Sequence, residues 1–198
     1  MLQEFTTTKH RRSSASKVSL AVESLEARVV PYATSGNAWP HPNLVTISFE
    51  PDGTNLGGVS SNLFAIFNAK WSTSVWEAQI IRAAQVWAQQ SNLNFTIVSD
   101  SGAATGAGNY EQGDPTIGDI RIGGYNFGSS TLAAAYMPPP ANTYSIAGDI
   151  AFNTGQAFNI GATYDLFTVA AHEFGHALGL GSCRVPQAAA VPSGWTRL

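Results

Sequence analysis

The spacing of hydrophobic and polar positions changes several times along the chain, and each period predicts an element. From Trp39 the pattern becomes globular: Leu44, Thr46 and Ser48 alternate with Val45, Ile47 and Phe49 before the turn Pro51-Asp52-Gly53, which predicts a strand. Ser74-Val75-Trp76-Glu77 has the form of a capping box, and Trp76, Ile80, Ala83, Ala84 and Trp87 then recur at helical spacing until Ser91-Asn92. This stripe predicts a helix laid on the sheet with its tryptophans in the core, where aromatics of this kind bury most area.

Residues 94–99 read as a second strand, and the Gly/Ala/Ser-rich stretch 101–118 as a long surface loop. Strand character resumes over residues 119–122, and again over 132–136 and 149–152. The last two flank Pro138-Pro139-Pro140 and a polar turn, which places them at or near a sheet edge. A final helix is expected from Leu166, after the capping residue Asp165, to a stop at Gly179. The order of strand, helix, four strands and helix indicates the α/β (α+β) class, without internal repeats.

Composition narrows the function classes. The 198 residues are 44% apolar and 11% aromatic, enough for one substantial core, while only 12% are charged. Together with 19 Gly and 10 Pro this indicates a loop-rich, neutral-surfaced fold, for which nucleic acid is not the expected partner. Residues 1–30 hold five of the ten Lys and Arg, so they read as a basic N-terminal extension to a domain over 31–198, whose remaining charge is mildly acidic. No apolar run has the length of a membrane span. A single cysteine, Cys183, excludes an internal disulfide. In the extension, Lys9-His10-Arg11-Arg12 is basic but lacks the apolar region of a secretory signal, leaving both a disordered tail and a targeting role open. Glu23-Ser24-Leu25-Glu26-Ala27-Arg28-Val29-Val30-Pro31 resembles a segment near the start of many exported planctomycete proteins, which implies an extracellular or cell-surface location.

The chemistry concentrates in the last helix, at Ala171-His172-Glu173-Phe174-Gly175-His176. At about 100° per residue, His172 and His176 lie within about 40° of each other with Glu173 alongside. Phe167, Ala171, Phe174 and Leu178 cluster opposite, so one face is expected to pack and the other to present imidazoles. Two histidines at i and i+4 can direct ring nitrogens at one Zn²⁺ about 2.0–2.1 Å away, and the intervening Glu can act as general base on a metal-bound water. A bare His-Glu-x-x-His also arises by chance, usually as surface or satisfied core histidines. The apolar back face, the Asp165 cap, the small Gly175 and the stop at Gly179-Leu180-Gly181 favour the zinc helix here.

The run Tyr164-Asp165-Leu166-Phe167-Thr168-Val169-Ala170-Ala171-His172-Glu173-Phe174-Gly175-His176-Ala177-Leu178-Gly179-Leu180-Gly181 resembles the active-site helix of the matrixins, of the metzincin clan. Asp119-Ile120-Arg121-Ile122, Leu132-Ala133-Ala134-Ala135-Tyr136 and Gly148-Asp149-Ile150-Ala151-Phe152-Asn153 resemble successive sheet segments of that family, so the similarity runs almost continuously from Trp39 to Gly181. It implies a metzincin-like twisted mixed sheet with a backing helix, an active-site helix, and an edge strand where an extended peptide could pair. It also implies a secreted, monomeric zinc metalloendopeptidase acting on peptide or protein substrates, with Glu173 as catalytic base and His172 and His176 as metal ligands.

The chain departs from the family in its tail. A third histidine ligand would fall at position 182, which is Ser182, and no His, Asp or Glu follows His176. Cys183 lies one residue beyond that point and reads more readily as a small buried or surface residue than as a ligand. Neither His10 nor His41 has a local sequence that points to the helix. The methionine expected beneath the metal falls near Ala190, and residues 183–198 show no period, as a truncated C-terminal subdomain or a shifted reading frame would give. Ligands for a structural zinc and for Ca²⁺ are expected near positions 134, 151, 153 and 156, which are Ala134, Ala151, Asn153 and Gln156, so a single-zinc domain is expected and Ca²⁺ is weakly supported. Two readings follow: an active peptidase, or an impaired homologue serving as a peptide-binding or structural module or representing a truncated, non-functional product.

Overall fold

The computed structural model describes residues 32–182. In chain order these form β1 (Tyr32–Thr34), β2 (Val45–Phe49), α1 (Leu63–Asn68), α2 (Thr73–Gln89), β3 (Phe95–Ile97), β4 (Ile120–Tyr125), β5 (Ala133–Ala135), β6 (Ile150–Asn153), α3 (Leu166–Ala177) and β7 (Leu180–Ser182). Five strands make a mixed sheet in the order β3-β2-β4-β6-β5. All neighbours are parallel except β5, which runs antiparallel to β6 with Ala134 opposite Ala151. The expected mixed sheet with an edge strand near the prolines is thus present, as β5. The tail and the N-terminal extension lie outside the described residues. Among the described residues no helix is long and apolar enough to cross a membrane.

Alternation along the strands sends Val45, Ile47, Ile120, Ile122, Ile150 and Phe152 into one buried cluster with Trp76, Ile80, Ala83 and Ala84 of α2 and with Leu166, Val169, Ala170, Phe174 and Ala177 of α3. Burying each large side chain of this set contributes about 1.5–3 kcal/mol, which fixes both helices against the sheet. Phe67 of α1 sits edge-on to Trp76, Phe152 and Phe158, with ring centroids 5.4, 6.1 and 5.7 Å away. The helix α1 has no sequence signature because its N-terminal amides are capped from a distance: Phe64 and Ala65 donate to the two carboxylate oxygens of Asp52 at 3.0 and 2.8 Å. The Ser74/Glu77 capping box is a correction. The helix α2 starts earlier, at Thr73 after Ser72, and has no side-chain cap bond, because Ser72 and Ser74 face each other at 3.2 Å.

The other face of the sheet is covered too, by the loop over 101–118, and this explains its buried polar residues. Ser48 donates to Asp100 at 2.6 Å, and Arg121 grips the same carboxylate through Nε at 2.9 Å and Nη2 at 2.7 Å. Burial alone would raise the Asp100 carboxyl, but the hydrogen bonds from Arg121, Ser48 and Gly102 outweigh it and hold the group below the usual carboxylate range.

Candidate active site

The helix α3 begins where the sequence places it. Asp165 Oδ2 accepts from the Thr168 amide at 3.0 Å and from its hydroxyl at 2.7 Å, while Oδ1 accepts from the Gly161 amide at 2.6 Å. Two glycines let the helix approach its surroundings. At Gly175 a Cβ would lie 3.2 Å from Cζ2 of Trp87, whose Nε1 donates to the Ala171 carbonyl at 2.9 Å and so locks α2 to α3. Gly179 follows the helix at φ +97°, a conformation that L side chains rarely adopt, and a Cβ there would run into the Asn37 carbonyl oxygen.

His172 and His176 face each other across one turn. Their Nε2 atoms are 3.0 Å apart and their rings meet edge to face at 84°, with centroids 4.7 Å apart. His176 Nδ1 lies 2.8 Å from the Leu180 carbonyl oxygen, which can only accept. Nδ1 therefore carries a proton, and in the neutral tautomer the lone pair is on Nε2. Two such lone pairs do not face each other unaided at this distance: either His172 Nε2 carries a proton, or a cation sits between them. Two nitrogens at Zn–N distances on a tetrahedron are about 3.3 Å apart, so the observed spacing suits a shared Zn²⁺ with a small ring adjustment. Burial, and then the neighbouring His176, push the His172 imidazole down to about 4, which keeps it neutral at pH 7 as a ligand must be.

The exposure of the helix corrects the expected division into a packed face and a presenting face. Glu173 and His176 are 1% and 2% exposed, whereas Phe167 and Ala171, expected on the packed side, are only half-buried. Burial pushes the Glu173 carboxyl up to about 8, and its Oε2 has no hydrogen-bond partner among the described residues. An unsatisfied buried oxygen of this kind costs about 1–3 kcal/mol, and a water molecule would satisfy it. The end of the helix is tied to a segment whose sequence carries no signal for it. Trp39 Nε1 donates to the Ala177 carbonyl at 2.9 Å, and Ser35 donates to the Gly179 carbonyl through its amide at 2.9 Å and its hydroxyl at 2.7 Å.

The other candidates are not brought to the pair. His41 is exposed, with its backbone amide and carbonyl bonded to the Gln112 side chain at 3.0 and 2.8 Å. Ser182 is the last described residue and pairs in register with Tyr32, while His10, Cys183 and Ala190 lie outside the described residues. Among the described residues no three His, Cys, Asp or Glu side chains group as a metal site would require, so these residues supply two imidazoles and one carboxylate. The accessory positions do not fit a cation. Ala134 and Ala151 bring no ligand atom, and the amides of Asn153 and Gln156 are committed to loop carbonyls.

Comparison with known proteins adds an independent line. A family model described as Matrixin matches residues 62–193. Matrix metalloproteinase-25 of Mus musculus is 37% identical over 122 residues, covering 54% of this chain and 18% of its own length. Karilysin of Tannerella forsythia is 36% identical over 124 residues, covering 61% of this chain and 25% of its own. The hatching enzyme of Paracentrotus lividus is 32% identical over 157 residues, covering 77% and 22%. The chain thus spans no more than a quarter of the length of these curated relatives. With the family model matched over well more than half of its 198 residues, and with the family's fold in place, this chain belongs to the matrixins, a family of zinc metalloendopeptidases.

Proposed function

We propose that the chain hydrolyses peptide bonds as a zinc metalloendopeptidase, with His172 and His176 holding the metal and Glu173 serving as general base. The observation that carries this reading is the facing Nε2 pair, 3.0 Å apart with the His176 tautomer set by Leu180, beside a buried Glu173 carboxyl whose Oε2 has no hydrogen-bond partner among the described residues. Bound Zn²⁺ would supply a Lewis acid for the scissile carbonyl and lower the pKa of water. In its ionised form, which the charge of a bound Zn²⁺ would favour over the carboxyl that burial raises to about 8, Glu173 takes a proton from the attacking water and passes it to the departing amine nitrogen, so that its proton count is restored each cycle. Leu180 keeps the His176 ring turned, and the unpaired side of β5, packed beside α3, offers backbone groups to an extended peptide. The substrates are peptides or proteins, and the site of action is outside the cell or at its surface, with the domain acting as a monomer.

The second reading, an impaired homologue that binds peptides without cleaving them, is favoured by one observation: a third ligand is missing among the described residues. The two readings separate on zinc content and zymography of the purified full-length chain. An active peptidase retains about one zinc per chain and clears a generic protein substrate in a chelator-sensitive way. Protein that holds no zinc and leaves the substrate intact at saturating metal would sink the peptidase reading.

A further inference from the structure

Asn153 ends β6 on the face of the sheet away from the helices and is fully buried. Its amide is the hub of a loop. Oδ1 accepts from the Phe127 and Gly155 amides, each at 3.0 Å, while Nδ2 donates to the Ser129 carbonyl at 3.0 Å and the Thr131 carbonyl at 2.6 Å. Gln156 adds a bond from Nε2 to the Ser129 carbonyl at 2.8 Å. Carbonyl oxygens converging on one point are what a hard cation such as Ca²⁺ takes, and here an amide nitrogen occupies that point. Both N–H groups and both lone pairs of Asn153 are used, so its capacity is filled.

Arg121 treats the neighbouring loop in the same manner. Besides its grip on Asp100, Nη2 donates to the Ala103 carbonyl at 2.8 Å, and Nη1 lies 3.3 Å from Glu50 Oε1. The cation that ties this loop to β4 is therefore a side chain. A rival site among the described residues is a cavity of about 90 Å³ lined by Glu50, Thr105, Tyr136 and Asp149, where Asp149 Oδ2 has no hydrogen-bond partner among the described residues. Burial pushes both Glu50 and Asp149 above the usual carboxylate range, a direction that favours neutralisation by protons.

We propose that the loop over 126–131 and the segment over 100–105 are fastened by Asn153 and Arg121 in the place of accessory cations, so that this fold needs no calcium. The inference does not depend on catalysis, and its test reads loop opening. The full-length chain is digested with chymotrypsin, following cleavage at Phe127, in EGTA and then with calcium in excess of the chelator. A zinc-selective chelator that does not bind calcium is present in both arms, so only calcium differs. The expected result is one rate in both arms. Slower cleavage, or a higher melting temperature, on adding calcium overturns the proposal and assigns calcium to the cavity or the loop. Asn153→Asp, which removes both donors and leaves a carboxylate among the carbonyls, should open the loop roughly tenfold faster in EGTA and recover with calcium. Should that variant not fold, Gln156→Ala, at a partly exposed position, should still raise cleavage roughly fivefold without any calcium effect. Unchanged cleavage in Gln156→Ala, or an Asn153→Asp protein that folds and ignores calcium, removes the side chains from the role.

Discussion

Gly179→Ala probes how the end of α3 is held, because the position joins three features. The residue sits at φ +97°, its Cβ would run into the Asn37 carbonyl oxygen, and its own carbonyl accepts two hydrogen bonds from Ser35. A left-handed conformation costs an L residue about 1–2 kcal/mol. Relief of the clash requires the chain to move off Ser35, which forfeits two hydrogen bonds at about 0.5–1.5 kcal/mol each. The expected loss is therefore about 2–5 kcal/mol. At roughly 2–4 °C per kcal/mol for a chain of this size, Tm should fall by roughly 4–20 °C. The displacement also reaches the ligand pair, since the next residue, Leu180, holds His176 Nδ1. Loss of such a supporting partner typically weakens metal about 10–100-fold. Thermal unfolding and zinc competition against a chelator measure the two effects. A Gly179→Ala protein with unchanged Tm and zinc affinity would refute the account of this turn.

Glu173→Gln should lower peptide hydrolysis by about 10²–10⁴-fold while leaving zinc stoichiometry unchanged, read by single-substrate kinetics and elemental analysis. Asp165→Ala should cost about 0.5–2 kcal/mol at pH 7, by chemical denaturation. Burial would raise the Asp165 carboxyl, but hydrogen bonds from Gly161 and Thr168 hold it below its usual value. Its contribution is therefore present above about pH 4 and disappears as pH falls through the lowered folded-state value, so the two proteins should converge in acid. Ser182→His should raise zinc affinity at least about tenfold, roughly 1.4 kcal/mol, by supplying a third imidazole at the position the family places one. No gain in chelator competition would mean that another group already completes the site.

The helix bearing His172 and His176 was legible because everything that makes it is local: the Asp165 cap, the 3.6-residue period and the Gly179 stop all lie within it. The strands of the main sheet were legible in the same way, from alternation and turn residues. Their order was not, since nothing local tells β5 to run antiparallel; the neighbouring prolines marked only that residues 132–136 and 149–152 lie at or near an edge. The helix α1 escaped because its cap, Asp52, is eleven residues upstream of the first element residue it would have marked, Leu63. Three-residue strands such as β1 and β7 carry no period at all. The burial of Glu173 and His176 escaped for a related reason: the segment that bonds to the end of this helix, through Ser35 and Trp39, is remote in sequence, and a helical wheel cannot see it.

The clasp of Ser35 on Gly179 joins residues 144 positions apart. Loop closure over such a span has a large entropic cost, so contacts of this separation form late, after local helices and hairpins. During synthesis the clasp has no partner until residue 179 has left the ribosome. The turn that holds His176 in place is thus assembled only when nearly all of the described domain is already available to fold.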